Sequence, residues 1–504
     1  QSRSSAASDV YKRQVWGSSD TPYFGMPLAE LAMAEADLLA DRLLRQGDPS
    51  EAEVRDVAPP PASRLDPKDY NGRLPWTTFV GTVQGKDTMP IYPDGRSRTY
   101  RAIQYFPELT DADKVAHRSE GLLGGWMPAV HKVIPAGEGR WYDLLVFADV
   151  NARDAFVVQT WNRAVLVEQG KAVRTVYGYS YPDYPPRRGG ASAQDFYRGM
   201  IDFAAAWQAQ LAQASTLELP DASWPDMARF AFARELIVRP GGVFPKYGAV
   251  DRDYVGNEYD GFQDTFTSSL YANLEWGRFD QARAVLDNYL SDYTQPDGLV
   301  NMRGPETGQF GLTLSLLARY LRYTGDVALL RKHQGKIEAT AQLLVELHDA
   351  SLQLPRDDRG HGLIHGWSES DACLYPDPSL WWKPYFGNSA LAIRGWEDIA
   401  AVWTAIAGAP GRSSQWRQRA RQLRQRLLES IRADIRTDLK PAYVGPLPGT
   451  RETFRQAMSQ EDPSKSEQLW SHRAYAELLQ ADVLPDALAH LVIDCPVSYT
   501  HLTL

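Results

Sequence analysis

Hydrophobic residues change their period twice along this chain. From Met26 to Gln46 (MPLAELAMAEADLLADRLLRQ) they recur at helical spacing, notably Leu28, Leu31, Ala32, Leu38 and Leu39, which predicts one amphipathic helix. The Pro-rich run from Ala58 to Pro67 follows as a linker. Between about Tyr70 and Pro186 the pattern becomes a set of short β-type runs, TTFVGTV, WYDLLVFADV, DAFVVQTW, RAVLVEQ and AVRTVYGYSY. Val, Thr and aromatic residues dominate these runs and Gly, Asn and Asp mark the breaks, so the segment reads as an antiparallel all-β domain, with a sandwich as its expected form.

From about Ala193 onward the pattern is helical. Trp416, Ala420, Leu423, Leu427 and Ile431 form one apolar stripe, and Arg417, Arg419, Arg421, Arg424 and Arg426 occupy the other faces, as on an outer helix exposed to water. About ten helices are expected here, paired by short turns. The turns are Trp276-Gly277-Arg278, Thr324-Gly325-Asp326, Gly408 to Gly411, and Ala481 to Pro485. Gly325 suits a left-handed helix stop and Asp326 a cap for the next helix. The alternate connections are long: about 239–257, 294–305, 350–387 and 437–466. Short and long connections alternating along antiparallel helices place all the long loops at one end of the bundle, and that end is the functional one.

The expected domains are 15–69 (helix and linker), 70–190 (β-sandwich) and 191–494 (helical). The stretches Ser5 to Gln14 and Cys495 to Leu504 look like translated sequencing-adaptor read-through, as in metagenomic gene predictions, and residues 1–14 and 495–504 are left out of fold reasoning. On that reading the last hairpin is cut short.

Composition narrows the function. The 504 residues, 43% hydrophobic and 23% charged, belong to an ordinary globular class. A net charge of -9 argues against a nucleic-acid partner. No apolar run is long enough to span a bilayer, so no membrane partner is expected. With Cys373 and Cys495 alone, no disulfide framework supports the fold. The 15 tryptophans and 25 tyrosines offer flat rings that suit sugar faces as well as cores. No phosphate loop, dinucleotide glycine fingerprint, nucleophile elbow or His-Glu-x-x-His zinc motif is present, and no cofactor is expected. Glycines 360, 362 and 366 break any helix that would align His361 with His365. Asp251, Asp253 and Asn257 lack calcium-loop spacing, so no metal is expected either.

The helical layout and three stretches resemble the six-hairpin glycosidase superfamily, in particular the glucoamylase, trehalase and processing α-glucosidase group, over about residues 220–490. The stretches are Glu258 to Leu290 (EYDGFQDTFTSSLYANLEWGRFDQARAVLDNYL), Asp297 to Asp326 (DGLVNMRGPETGQFGLTLSLLARYLRYTGD) and Gly366 to Asp371 (GWSESD). The resemblance implies an (α/α)6 toroid after the β-sandwich, and an enzyme that hydrolyses O-glycosyl bonds in a carbohydrate partner.

Candidate residues gather on the long loops. Glycoside cleavage needs one carboxylic acid to protonate the departing oxygen and a second carboxylate as base or nucleophile, and an inverting hydrolase, whose second carboxylate activates water, is expected here. The superfamily's acid lies on a loop like Gly362 to Asn388, which makes Asp371 the first candidate and Glu369 the second; two carboxylates so close would raise the acid's pKa. Trp367, Trp381 and Trp382 could stack on sugar rings, and Lys383 could bind a hydroxyl. The resemblance also puts Tyr247, Glu258 and Asp260 at a sugar subsite, Glu258 and Asp260 being equally suited to helix capping. Arg303 could hydrogen-bond a hydroxyl or hold a carboxylate, and Glu306 also suits a helix N-terminus. For the base, Glu452, Glu461 and Glu467 are available, none in a recognised motif. Two other readings stay open: a polysaccharide lyase using Tyr247, Lys246, Arg303 and His365, and a carbohydrate-binding toroid without catalysis.

Overall fold

The computed structural model describes residues 22–23, 26–27, 78–83, 85, 88–97, 106–123, 125–152, 158–169, 171–179, 191–220, 223–238, 263–300, 306–367, 377–408, 410–459 and 471–501. The fold is mostly helical with a small antiparallel sheet. The chain divides into two units, one of Gln1–Gly242 with Gly248–Val255 and one of Val243–Tyr247 with Gly256–Leu504.

The first unit begins with a short strand pair, β1 (Pro22–Tyr23) and β2 (Met26–Pro27). The helix expected from Met26 therefore starts on strand residues, and the rest of it lies outside the described residues. A second hairpin joins β3 (Thr78–Val80) to β4 (Met89–Ile91). The main sheet is a meander of β5 (Ser119–Leu123), β6 (Met127–Gly137), β7 (Arg140–Ala148), β8 (Thr160–Glu168) and β9 (Lys171–Tyr179), each antiparallel to the next.

Opposite residues in antiparallel strands share a face, so the register sorts the side chains. Val130, Val146 and Ala148 meet Val80, Met89 and Ile91 of the β3–β4 hairpin. Ile134, Tyr142, Leu144 and Ala164 meet Phe106, Leu109 and Val115, the last from the one-turn helix α1 (Ala112–Ala116). On the other face Phe147 packs on Phe196 and Phe203 of α2 (Ala193–Leu211), with ring centroids 5.2 and 5.1 Å apart. A side chain on Gly199 would bring its Cβ to 2.7 Å from the Trp161 indole nitrogen, so this close approach requires glycine.

That second face also buries an ionic triad. Asp143 accepts from His131 at 2.5 Å and from Arg163 at 3.1 Å, and all three side chains are buried. Burial pushes the Asp143 carboxyl up, but the charges of His131 and Arg163 outweigh it and hold the group below the usual carboxylate range.

Three features differ from expectation. Among the described residues there is one five-stranded sheet with a hairpin on one face and a helix on the other, not the two full sheets of a sandwich. Strands β5 and β6 lie outside the predicted runs; in β6, MPAVHKVIPAG carries two prolines and is buried along most of its length, which erases the alternation of a half-exposed strand. Helices α2 and α3 (Ser223–Val238), read from sequence as the start of the helical domain, belong to the first unit.

In the second unit, α4 (Gln263–Glu275) pairs with α5 (Phe279–Asn288), which continues as a π-turn over Tyr289–Tyr293. Next come α6 (Thr307–Thr324), the short α7 (Val327–Lys332) and α8 (Gln334–Ser351). Then follow α9 (Phe386–Ala407) with α10 (Pro410–Ala433), the one-turn α11 (Phe454–Met458), and α12 (Ser471–Gln480) with α13 (Asp486–His501). The turns behave as read: Gly277, Gly325 and Gly408 have φ of 72°, 69° and 68°, and the Asp326 carboxylate caps α7 by accepting from Leu329 N–H at 3.2 Å. The final helix runs through residues 495–501, part of the adaptor-like stretch.

Helices α4, α6, α9 and α12 lie side by side. Thr267 meets Gln309 while Glu275, further along, meets Arg319. Gly308 meets Asn388 while Ser315 meets Asp398. Each pair of contacts advances in the same direction on both helices, so these inner helices are parallel. Between α6 and α9 the backbones touch: a Cβ on Gly311 would lie 2.2 Å from the Leu391 carbonyl oxygen, and one on Gly395 2.4 Å from the Gly311 oxygen. Helices α5, α8 and α10 form the outer layer. The α10 stripe predicted from sequence, Trp416 to Ile431, is fully buried.

Candidate functional site

Because the inner helices are parallel and each follows a long connection, their N-termini gather at one end of the second unit. A polar chain crosses three of them near that end. The Thr267 hydroxyl donates to Gln309 Oε1 at 2.6 Å, and Gln309 Nε2 donates to Glu477 Oε1 at 3.0 Å. Glu477, on α12, is buried, and so are Gln309, Thr267 and the neighbouring Asn388. Asn388 Oδ1 and Glu477 Oε2 both lie 3.4 Å from where a Gly308 side chain would begin. Burying a carboxylate is tolerable where it accepts such hydrogen bonds and where helix N-termini present partial positive charge.

The same end holds the base of the aromatic loop. Trp367 and Trp381 lie 4.9 Å apart between ring centroids at 30°, and Trp382 stands edge-on to both, at 5.9 and 6.2 Å. Trp367 and Trp381 are half-buried, whereas Trp382 is 40% exposed. Gly366 and Lys383 close the stem with a two-way backbone bridge, N–H to O at 3.1 and 3.4 Å. The stem is tied to the helices as well. Thr307 N–H donates to the Trp367 carbonyl at 3.2 Å, and Ile364 N–H to the Ser389 hydroxyl oxygen at 3.0 Å. A Cβ on Gly366 would fall 1.9 Å from Thr307 Oγ1, so only glycine seats here.

Of the predicted site residues, Glu306, Trp367, Trp381, Trp382 and Lys383 are brought to this end. Glu306 is the N-cap residue of α6 and is 1% exposed; its side chain makes no capping hydrogen bond. The other candidates, Asp371, Glu369, Tyr247, Glu258, Asp260 and Arg303, lie outside the described residues, as do Lys246, Glu461 and Glu467. Asp377, another acid of the loop, is a local cap: it accepts from Ser379 N–H at 2.9 Å, and hydrogen bonding from the Ser379 side chain, with this N–H second, lowers its pKa. His365 donates from Nδ1 to the Leu363 carbonyl, and burial lowers its pKa. His361 likewise spends Nδ1 on the Leu354 carbonyl.

Sequence reasoning missed Glu477, Gln309 and Asn388. Glu477 lies inside the regular helical run SHRAYAELLQ, where no local signal separates it from a solvent-facing acid. No helix is long and apolar enough to cross a membrane among the described residues.

No protein-family model matches the sequence, and no curated protein matches it. Solved structures do. One is a bacterial glucoamylase complexed with acarbose, 10% identical, with a TM-score of 0.36 over 64% of this chain and 49% of that one. The chain thus spans about half the length of that glucoamylase, and a likeness this distant assigns no residue a role.

Proposed function

We propose that the second unit is an (α/α) toroid of the glycoside hydrolase type that cleaves an O-glycosyl bond in an oligo- or polysaccharide. The observation that supports this reading is the meeting, at one end of parallel inner helices, of a three-tryptophan cluster, buried carboxylates and the stem of the loop that continues into Glu369 and Asp371. Aromatic faces bind sugar rings, and carboxylates supply the protons that cleavage requires.

In this reading Asp371 protonates the leaving oxygen and Glu369, two residues away, raises its pKa by repulsion. The second carboxylate is Glu477, whose orientation Gln309 fixes through its hydrogen bond. Carboxyl oxygens separated by roughly 6.5–9.5 Å give inversion and by about 5–5.5 Å retention, so the stereochemistry of the product reports their spacing. Tyr247, Glu258, Asp260, Arg303, Glu306, Trp367, Trp381, Trp382 and Lys383 contact the sugar.

The test is turnover of a panel of neutral oligosaccharides, followed by reducing-end assay and by NMR for anomeric configuration. Asp371→Asn should lower kcat about 10²–10⁴-fold. Full activity in that variant removes Asp371 as the acid. Glu369→Gln should move the basic limb of the pH–rate profile to lower pH, because a neutral neighbour no longer raises the acid's pKa. Release of unsaturated, ultraviolet-absorbing ends would replace hydrolysis by a lyase reaction.

A further inference from the structure

The loop stem carries an inference beyond those assignments. Ser389 is in the first turn of α9 and is fully buried, as is Ile364. Ile364 lies on a non-helical segment, where a buried N–H must find an acceptor, and it finds the Ser389 hydroxyl oxygen at 3.0 Å. Three residues later the Trp367 carbonyl takes the N–H of Thr307, in the first turn of α6. Two inner helices thus hold the two ends of a four-residue stem. Between those ends Gly366 fits against Thr307 with no room for a Cβ, and it is bridged to Lys383. The stem has one seat.

We propose that Ser389 is a positioning residue: through Ile364 it fixes Trp367 and the tryptophan cluster, and through chain continuity it sets the origin of the segment that follows. Its bearing on catalysis rests on the reading that this segment carries the acid. Alanine at 389 removes the acceptor without adding volume, so the stem loses one of its two attachments while the packing of α9 is kept.

Amide hydrogen exchange on the full chain tests this without reference to activity. In the unaltered protein the Ile364 amide should be protected at least about 100-fold over an open loop, and loop-like exchange would overturn the proposal with no variant needed. In Ser389→Ala, the Ile364 to Trp367 segment should exchange at least about 10-fold faster, with rates unchanged in the second half of α9. Acrylamide quenching of tryptophan emission should rise with it. Given a substrate, kcat should fall about 10-fold through the misplaced reacting group, and KM should rise through the loosened tryptophans. Unchanged exchange, or faster exchange with unchanged quenching and kcat, overturns the positioning role. If Asp371→Asn remains active while the exchange and quenching results hold, the acid assignment fails and the positioning of the tryptophans stands.

Discussion

The inner seam between α6 and α9 and the outer face of α10 hold the same helical unit together by opposite means. At the seam, side chains are absent where the helices touch: Gly311 and Gly395 let the backbones meet, and every residue of α6 from Thr307 to Ala318 is buried. On α10 the contacts beyond the apolar stripe are made by long reach. Arg412 pairs with Glu338, Arg419 with Asp349, and Arg424 with Glu397, while Arg417 and Arg426 extend to main-chain oxygens. Close packing fixes the spacing of the inner helices, and so of their N-termini, to a fraction of an ångström. The arginines allow tolerance, because flexible and half-exposed groups can re-form their contacts after small shifts. The difference places stiffness where the candidate site lies.

The comparison can be broken most directly at the seam. Gly395→Ala should cost about 3 kcal/mol or more, since its Cβ meets backbone that cannot yield, and thermal unfolding should shift accordingly. A drop of less than about 1 kcal/mol would show that the seam is not tight.

The next largest effect sits where the layers meet. His348, on outer α8, is 2% exposed and faces Trp396 of α9. Burial lowers its pKa to about 4, with the Arg419 charge adding to the shift and Asp349 opposing it. The folded pKa lies below the unfolded value of about 6.5, so the unfolded chain binds the proton first. Stability is therefore full above pH 6.5, falls as pH drops from 6.5 to 4, and is level below that, by about 3 kcal/mol in total. Denaturant titrations across that window should show the slope, and His348→Gln should flatten it.

Smaller again is Gln309→Leu, which removes a partner from both Thr267 and Glu477 and should cost about 1–2 kcal/mol. Smallest is Arg424→Ala, expected to cost under about 1 kcal/mol and to lose most of that difference in high salt. A large, salt-independent loss at Arg424 would erase the distinction between the layers.

The layers differ in how readily sequence reveals them. The α10 stripe and the stops at Gly277, Gly325 and Gly408 were legible, because amphipathic periodicity and a glycine needed for positive φ are local properties. The seam was not: Gly311 and Gly395 lie within helical runs, and their meaning depends on a neighbour more than eighty residues away. The same holds for the triad His131, Asp143 and Arg163, in which three ordinary strand residues converge only through register. At the candidate site, Trp367, Trp381, Trp382 and Lys383 drew attention as an odd cluster in one loop. Glu477 sat inside a regular helix, where a lone acid looks like a solvent-facing position until its partners are known.

The arginine contacts on α10 have one more consequence. Arg417, Arg424 and Arg426 address the main-chain oxygens of Ala400, Val483, His361 and Arg359. Every amino acid carries that oxygen, so the partner positions can change identity without breaking the bond. The outer layer can therefore drift in sequence while remaining attached, and a comparison of distant relatives should find the arginines retained opposite partners that have little in common.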